Sequence, residues 1–298
     1  MSAGAVEFEL PEEALATARA LAEAFPYETD RSHPDFPALA RRVTRHWAGL
    51  GQPEDENAPP LRDISRFAAV ALAVYLEATP GGLTLVRIRA LIERPGLGGI
   101  GHGRAVLIFL RYIGHIEPLP REGDGRLQRY AVTARARELL RLRFRRELTA
   151  IGDWNAAAAA MIARLDDDDA FRAFLVAIGE NTLAAMRNDP RPENPVGLFS
   201  SRAGGLVLLC TLMQGAGPDD TFPPRGGLPC NVAELARTSQ ASRMQVRHLL
   251  NRARDAGYLL PEAEGKVRLS EELCQGMERM IASLIQLTLH SCRRVLNR

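Results

Sequence analysis

The residues best equipped for recognition chemistry lie in the stretch SQASRMQVRH. Ser239, Gln240, Ser242, Arg243, Gln245, Arg247 and His248 are hydrogen-bonding or cationic side chains, and those from Ser242 onward fit the first two turns of a helix. A guanidinium there can pair bidentately with a guanine edge, and a glutamine amide with adenine. Ser242 can cap the helix, or its neighbouring amides can hold a phosphate. Lys266 and Arg268 add two cations suited to a groove or its backbone. This is the chemistry of holding, not of bond-making. The six histidines show no metal-ligand spacing, and the four cysteines (Cys210, Cys230, Cys274, Cys292) are far apart with no Cys-x-x-Cys. No serine or cysteine sits in a nucleophile motif, so the expectation is a non-enzyme with neither metal nor cofactor. Gly96, Gly98 and Gly101 match Gly-x-Gly-x-x-Gly, but the preceding LVRIRALIERP reads as a helix rather than the strand a dinucleotide site needs. The run Asp166–Asp169 reads as the acidic start of a helix rather than a metal site.

The elements that must position these residues follow from caps and periodicity. Asn231 with Glu234 reads as a capping box, with Val232, Leu235 and Ala236 as the apolar face of the helix it starts. After a polar turn, Ser242 caps a second helix with Val246, Leu249, Leu250 and Ala253 inward. Gly257 ends it, and Tyr258–Leu260 and Lys266–Leu269 read as two short strands around the turn 262–265. Helix, turn, capped helix, glycine stop and β-hairpin together resemble a winged helix-turn-helix.

The same order occurs upstream. Thr84 opens LVRIRALIER, the glycine-rich GLGGIGHG leads into RAVLIFLRYIG, Gly114 ends that helix, and IEPL and QRYAV flank a turn rich in Arg and Gly. Gly114 and Pro118 lie 143 residues before Gly257 and Pro261; Val132-Thr133 lies 137 before Leu269-Ser270, and Ser65-Arg66 lies 136 before Ser201-Arg202. Phe36 and Phe171 stand at nearly the same distance, and 181–195 reads as a proline-rich loop like 51–60. The pattern implies a tandem duplication, with halves 1–150 and 151–298. In the first half the side chains placed for contact are His102 and Arg104 on a weaker, glycine-rich helix start, and Arg121, Arg126 and Arg129 on the wing. Each half trails into a long helix. One runs from Thr133 to Leu148, with Leu139, Leu140, Phe144 and Leu148 inward and six arginines largely outward; the other runs from Glu271 to Asn297 with an apolar seam. An acidic helix over Pro11–Ala24 and a helix over Phe36–Gly49 precede them, and a buried helix capped by Asp63 or Ser65 runs to Ala78.

This order resembles the MarR family of bacterial transcription regulators. The resemblance implies a mainly α fold with small β-wings: two winged helix-turn-helix halves with long flanking helices, in a pseudo-two-fold arrangement within one chain. It implies a DNA-binding transcription regulator whose partner is double-stranded DNA. A plasmid- or phage-type replication initiator, or a winged-helix protein-interaction module, are the alternatives. Composition agrees: 298 residues, 46% apolar and 25% charged, net charge +2, with only Lys266 as lysine among 38 basic residues. With no long apolar run and no signal-like start, a cytoplasmic protein without membrane contact is expected. The seam of the last helix has two possible closures, the first half or a second copy.

Overall fold

The computed structural model describes residues 33–49, 64–92, 102–121, 127–188, 195–200, 202, 204–217 and 220–297. The expected helix Pro11–Ala24, the loop 51–60 and the glycine run 98–101 lie outside them. The described chain is mainly helical with two small antiparallel sheets. The first half holds α1 (Phe36–Gly49), α2 (Ile64–Ala78), β1 (Leu83–Thr84), α3 (Leu85–Ile92), α4 (His102–Tyr112), β2 (Ile116–Pro118), β3 (Arg129–Val132) and α5 (Ala134–Gly152). The second holds the short α6 (Ala156–Arg164), then α7 (Asp168–Asn188), α8 (Gly197–Ser200), α9 (Gly205–Gln214), β4 (Leu228–Pro229), α10 (Val232–Ser239), α11 (Arg243–Asp255), β5 (Leu259–Pro261), β6 (Lys266–Leu269) and α12 (Glu271–Leu296).

The two sheets have matching orders, β1-β3-β2 and β4-β6-β5. Their registers match as well. Ile116 faces Val132 and Pro118 faces Tyr130; Leu259 faces Leu269 and Pro261 faces Val267. Gly114 (φ +70°) ends α4 and Gly257 (φ +73°) ends α11, each in the left-handed conformation that a Cβ would strain. The strands then deliver equivalent caps. Thr133 and Ser270 accept from Ala136 N and Leu273 N through their hydroxyls, at 3.3 and 3.2 Å, starting α5 and α12.

Helix packing is reciprocal. The leading helix α1 lies against α5 of its own half and α9 of the other; the leading helix α7 lies against α12 of its own half and α2 of the other. Buried positions of α1 and α7 coincide pairwise: Phe36 with Phe171, Leu39 with Phe174, Ala40 with Leu175 and Val43 with Ile178. One apolar cluster runs through both halves. Leu140, Phe144 and Leu148 of α5 are fully buried within it, contributing roughly 1.5–3 kcal/mol each. From Gly276 to Cys292 no residue of α12 is exposed, because α1, α6 and α7 cover it. Of the two closures expected for its seam, the chain's own helices supply one.

Several local expectations change. Arg143 points inward with Glu147 one turn on, although the arginines of this helix were expected outward. Burial pushes the Arg143 guanidinium down to about 10 and the Glu147 carboxyl up, each partly offset by the other's charge. The segment from Asn181 to Asn188 continues α7 rather than forming a loop, since the Asn181 amide is buried and donates to Ser291 Oγ at 2.8 Å. The buried helix of the second half, expected from Ser201, runs from Gly205, directly after Gly204 in the left-handed conformation (φ +71°). Asn231 caps α10 by accepting from Ala233 N and Glu234 N, without the return bond of a capping box.

Candidate functional site

The second unit is built around α10 and α11. Val246, Leu249, Leu250 and Ala253 seat α11 on the core, which turns its other positions outward. Ser242 Oγ accepts from Gln245 N at 3.1 Å, and Gln245 Oε1 accepts from Ser242 N at 2.9 Å. The capping box therefore sits at the start of this helix. It fixes Ser242 as a cap and holds the Gln245 carbonyl, leaving only the amide NH2 of that residue to meet a partner. Gln245 is thus half committed to its own helix rather than free to read adenine bidentately.

Arg243, Arg247, His248 and Arg252 are exposed on α11 and make no side-chain hydrogen bond or ion pair with another described residue. Gln240 is exposed in a left-handed conformation (φ 50°) at the end of α10. Ser239 departs from the expectation: it is buried and its hydroxyl donates to Leu235 O at 2.6 Å, so it serves the helix. On the hairpin, Lys266 Nζ lies 3.4 Å from Glu264 and Arg268 Nε lies 3.2 Å from Glu262. Both pairs are exposed, worth at most ~1 kcal/mol, and can be exchanged for another anion. Beside α11 a cleft of about 330 Å³ is lined by Arg202, Gln245, His248 and Arg252 over Leu208 and Leu249. Arg202 and Arg252 were not among the expected contacts. Arg252 could have been found from its i, i+4 spacing to His248; nothing in the sequence pointed to Arg202.

The first unit keeps the frame with another surface. Arg104 is exposed on α4, Arg129 is exposed on β3, and Arg121 Nε donates to Gln128 Oε1 at 3.2 Å. His102 opens α4, and Arg126 lies outside the described residues. On the outward stripe of α4, Ile108 and Tyr112 are 55% and 88% exposed. The arginines of α5 are largely consumed internally. Arg137 Nη2 sits 2.8 Å from Glu77, Arg145 Nη2 2.6 Å from Asp166, and Arg141 pairs with Glu138 and Asp168 while lying over the Phe171 ring. The acidic run thus serves its neighbours, and Asp167 caps α7 by accepting from Asp169 N and Ala170 N.

Among the described residues no group of three or more His, Cys, Asp or Glu could hold a metal, and no helix is long and apolar enough to cross a membrane. Cys210, Cys274 and Cys292 are buried free thiols, which burial pushes up. No family model, curated protein or solved structure matches the chain.

Proposed function

We propose that this chain is a DNA-binding transcription regulator, a MarR-like pseudo-dimer in which two winged helix-turn-helix units, arisen by tandem duplication, occupy one polypeptide. The matching sheet registers and the reciprocal packing of α1 and α7 support the duplication. The observation that carries the DNA reading is the exposed face of α11, where Arg243, Arg247 and Arg252, with the His248 imidazole among them, pair with no other described residue on a helix capped at Ser242. In this reading α11 enters a major groove, Arg243 and Arg247 reach base edges, and Lys266 and Arg268 leave their glutamates for phosphates. Arg202 and Arg252 hold backbone beside the helix. The first unit contributes Arg104, Arg121 and Arg129 to backbone only, and linkage of the units raises affinity above that of either alone.

A gel shift of the full chain on genomic fragments at two salt concentrations tests the proposal. Retention at low salt that weakens steeply as salt rises is expected, because phosphate contacts release counterions. No retention at low salt ends the proposal. One observation favours a second reading for the first unit: the exposed Ile108 and Tyr112 on α4 fit a protein-interaction module better than a groove reader. Binding to repeated direct sites rather than a promoter palindrome would instead favour a replication initiator.

A further inference from the structure

The buried positions Val246, Leu249, Leu250 and Ala253 fix which side of α11 faces the core. At ~100° per residue, Met244 falls almost directly opposite them, with Arg243 and Gln245 to either side. Arg247, His248 and Asn251 follow at i+3, i+4 and i+7 along the same outward stripe, and all three are exposed. Met244 is therefore the residue of the first turn that points most directly away from the core. Its side chain is 78% exposed, and among the described residues no other large apolar side chain of the second unit is exposed. It takes no part in the apolar cluster that joins the halves.

An apolar group aimed at a duplex meets an uneven surface. Across the floor of the major groove the base edges present hydrogen-bond donors and acceptors, and the C5-methyl of thymine is the apolar group among them. A thioether laid on a donor or acceptor displaces its water without replacing the hydrogen bond, which costs affinity. Laid on the methyl, it buries apolar surface instead. The unbranched methionine chain adapts to such a contact through its three rotatable bonds.

We infer that Met244 reads thymine through its 5-methyl group and is a specificity-determining residue of α11. The inference rests on the DNA reading above and adds to it a residue that carries no charge. The cap already occupies Ser242 and the Gln245 carbonyl. On the first turn Arg243 is thus left for a guanine edge and Met244 for a thymine methyl. At the 143-residue offset the first unit has Gly101, which has no side chain, so this contact is made by one unit only.

Two synthetic duplexes of one sequence test it, both copied from a genomic fragment that the full chain retains. One carries thymine and the other deoxyuridine throughout, so they differ only in the 5-methyl group. In fluorescence anisotropy at low salt, the wild type should bind the thymine duplex about fourfold more tightly for each methyl covered, the ratio that burying one such group gives. Met244→Ala should bind both duplexes equally, at about the wild type's affinity for the deoxyuridine duplex, with an unchanged melting temperature. Equal wild-type affinities for the two duplexes, or a thymine preference that survives Met244→Ala, overturns the inference and leaves the DNA reading standing. Retention of no fragment at low salt overturns both.

Discussion

The two units of this chain share one frame and present opposite faces. Position for position, α4 and α11 bury corresponding residues: Leu107 stands where Leu250 does, and Leu110 where Ala253 does. Outward, Arg104 corresponds to Arg247 and Arg111 to Arg254, but Ile108 takes the place of Asn251 and Tyr112 that of Asp255. The connections differ too. Four residues, Thr79–Gly82, link α2 to the strand that follows. After α9 a longer loop folds back, with Phe222 under the Arg41 guanidinium and Arg225 bridging Glu271 and Glu278. Inward positions constrain one another through packing, whereas outward ones are free to diverge. The difference teaches that a shared frame leaves the outward faces free to differ: the second unit presents Asn251 and Asp255 among its arginines where the first presents Ile108 and Tyr112.

The largest expected effect contrasts the two helices directly. Arg243→Ala with Arg247→Ala should weaken duplex binding by ~100-fold or more, at ~1–3 kcal/mol per lost base contact. Arg104→Ala should weaken it by less than ~5-fold, as one backbone contact would. Equal losses, measured by fluorescence anisotropy, would erase the asymmetry.

Next comes a difference in acid sensitivity. His46 on α1 corresponds to Asn181 on α7; burial and the nearby Arg143 and Arg146 lower the His46 pKa to about 4, while Asn181 is hydrogen-bonded and cannot titrate. A histidine held neutral when folded binds fewer protons than the unfolded chain between pH 4 and 6.5. Stability therefore falls as pH drops through that window, by up to ~3 kcal/mol. Denaturant melts of the wild type and His46→Asn should diverge there, with the variant less acid-sensitive.

Ser242→Ala removes the hydroxyl that accepts from Gln245 N and leaves the backbone half of the capping box in place. It should cost ~1 kcal/mol and shift the melting temperature by a few degrees. The smallest effect belongs to Ile108→Asn with Tyr112→Asp, which gives α4 the outward residues of α11. Both positions are exposed, so stability should change by no more than ~0.5 kcal/mol and duplex affinity not at all.

Much of this frame was legible in the sequence because periodicity and caps report local physics. The ranges of α1 and β6, the stops at Gly114 and Gly257, and the cap at Ser242 all follow from residue type and spacing. The offsets of 143 and 137 reappear as strand register. What was not legible depends on contacts distant in sequence. The two-residue strands β1 and β4 exist only by pairing with β3 and β6. The alanine-rich α6 carries little apolar pattern and is started by the Asn155 cap. Ser239 looks available until Leu235 O claims its hydroxyl, and Arg143 looks solvent-facing until Glu147 lies beside it in the core. Arg202 joins the cleft only because the turn before α9 folds against α11.

Hydroxyl-radical footprinting of the full chain at low salt, on a fragment it retains, tests the central claim most directly. The account predicts an asymmetric footprint: one strongly protected groove segment that disappears in Arg243→Ala/Arg247→Ala, with weaker backbone protection beside it. Two equal, symmetric protected segments, or protection that survives the double substitution, would contradict it.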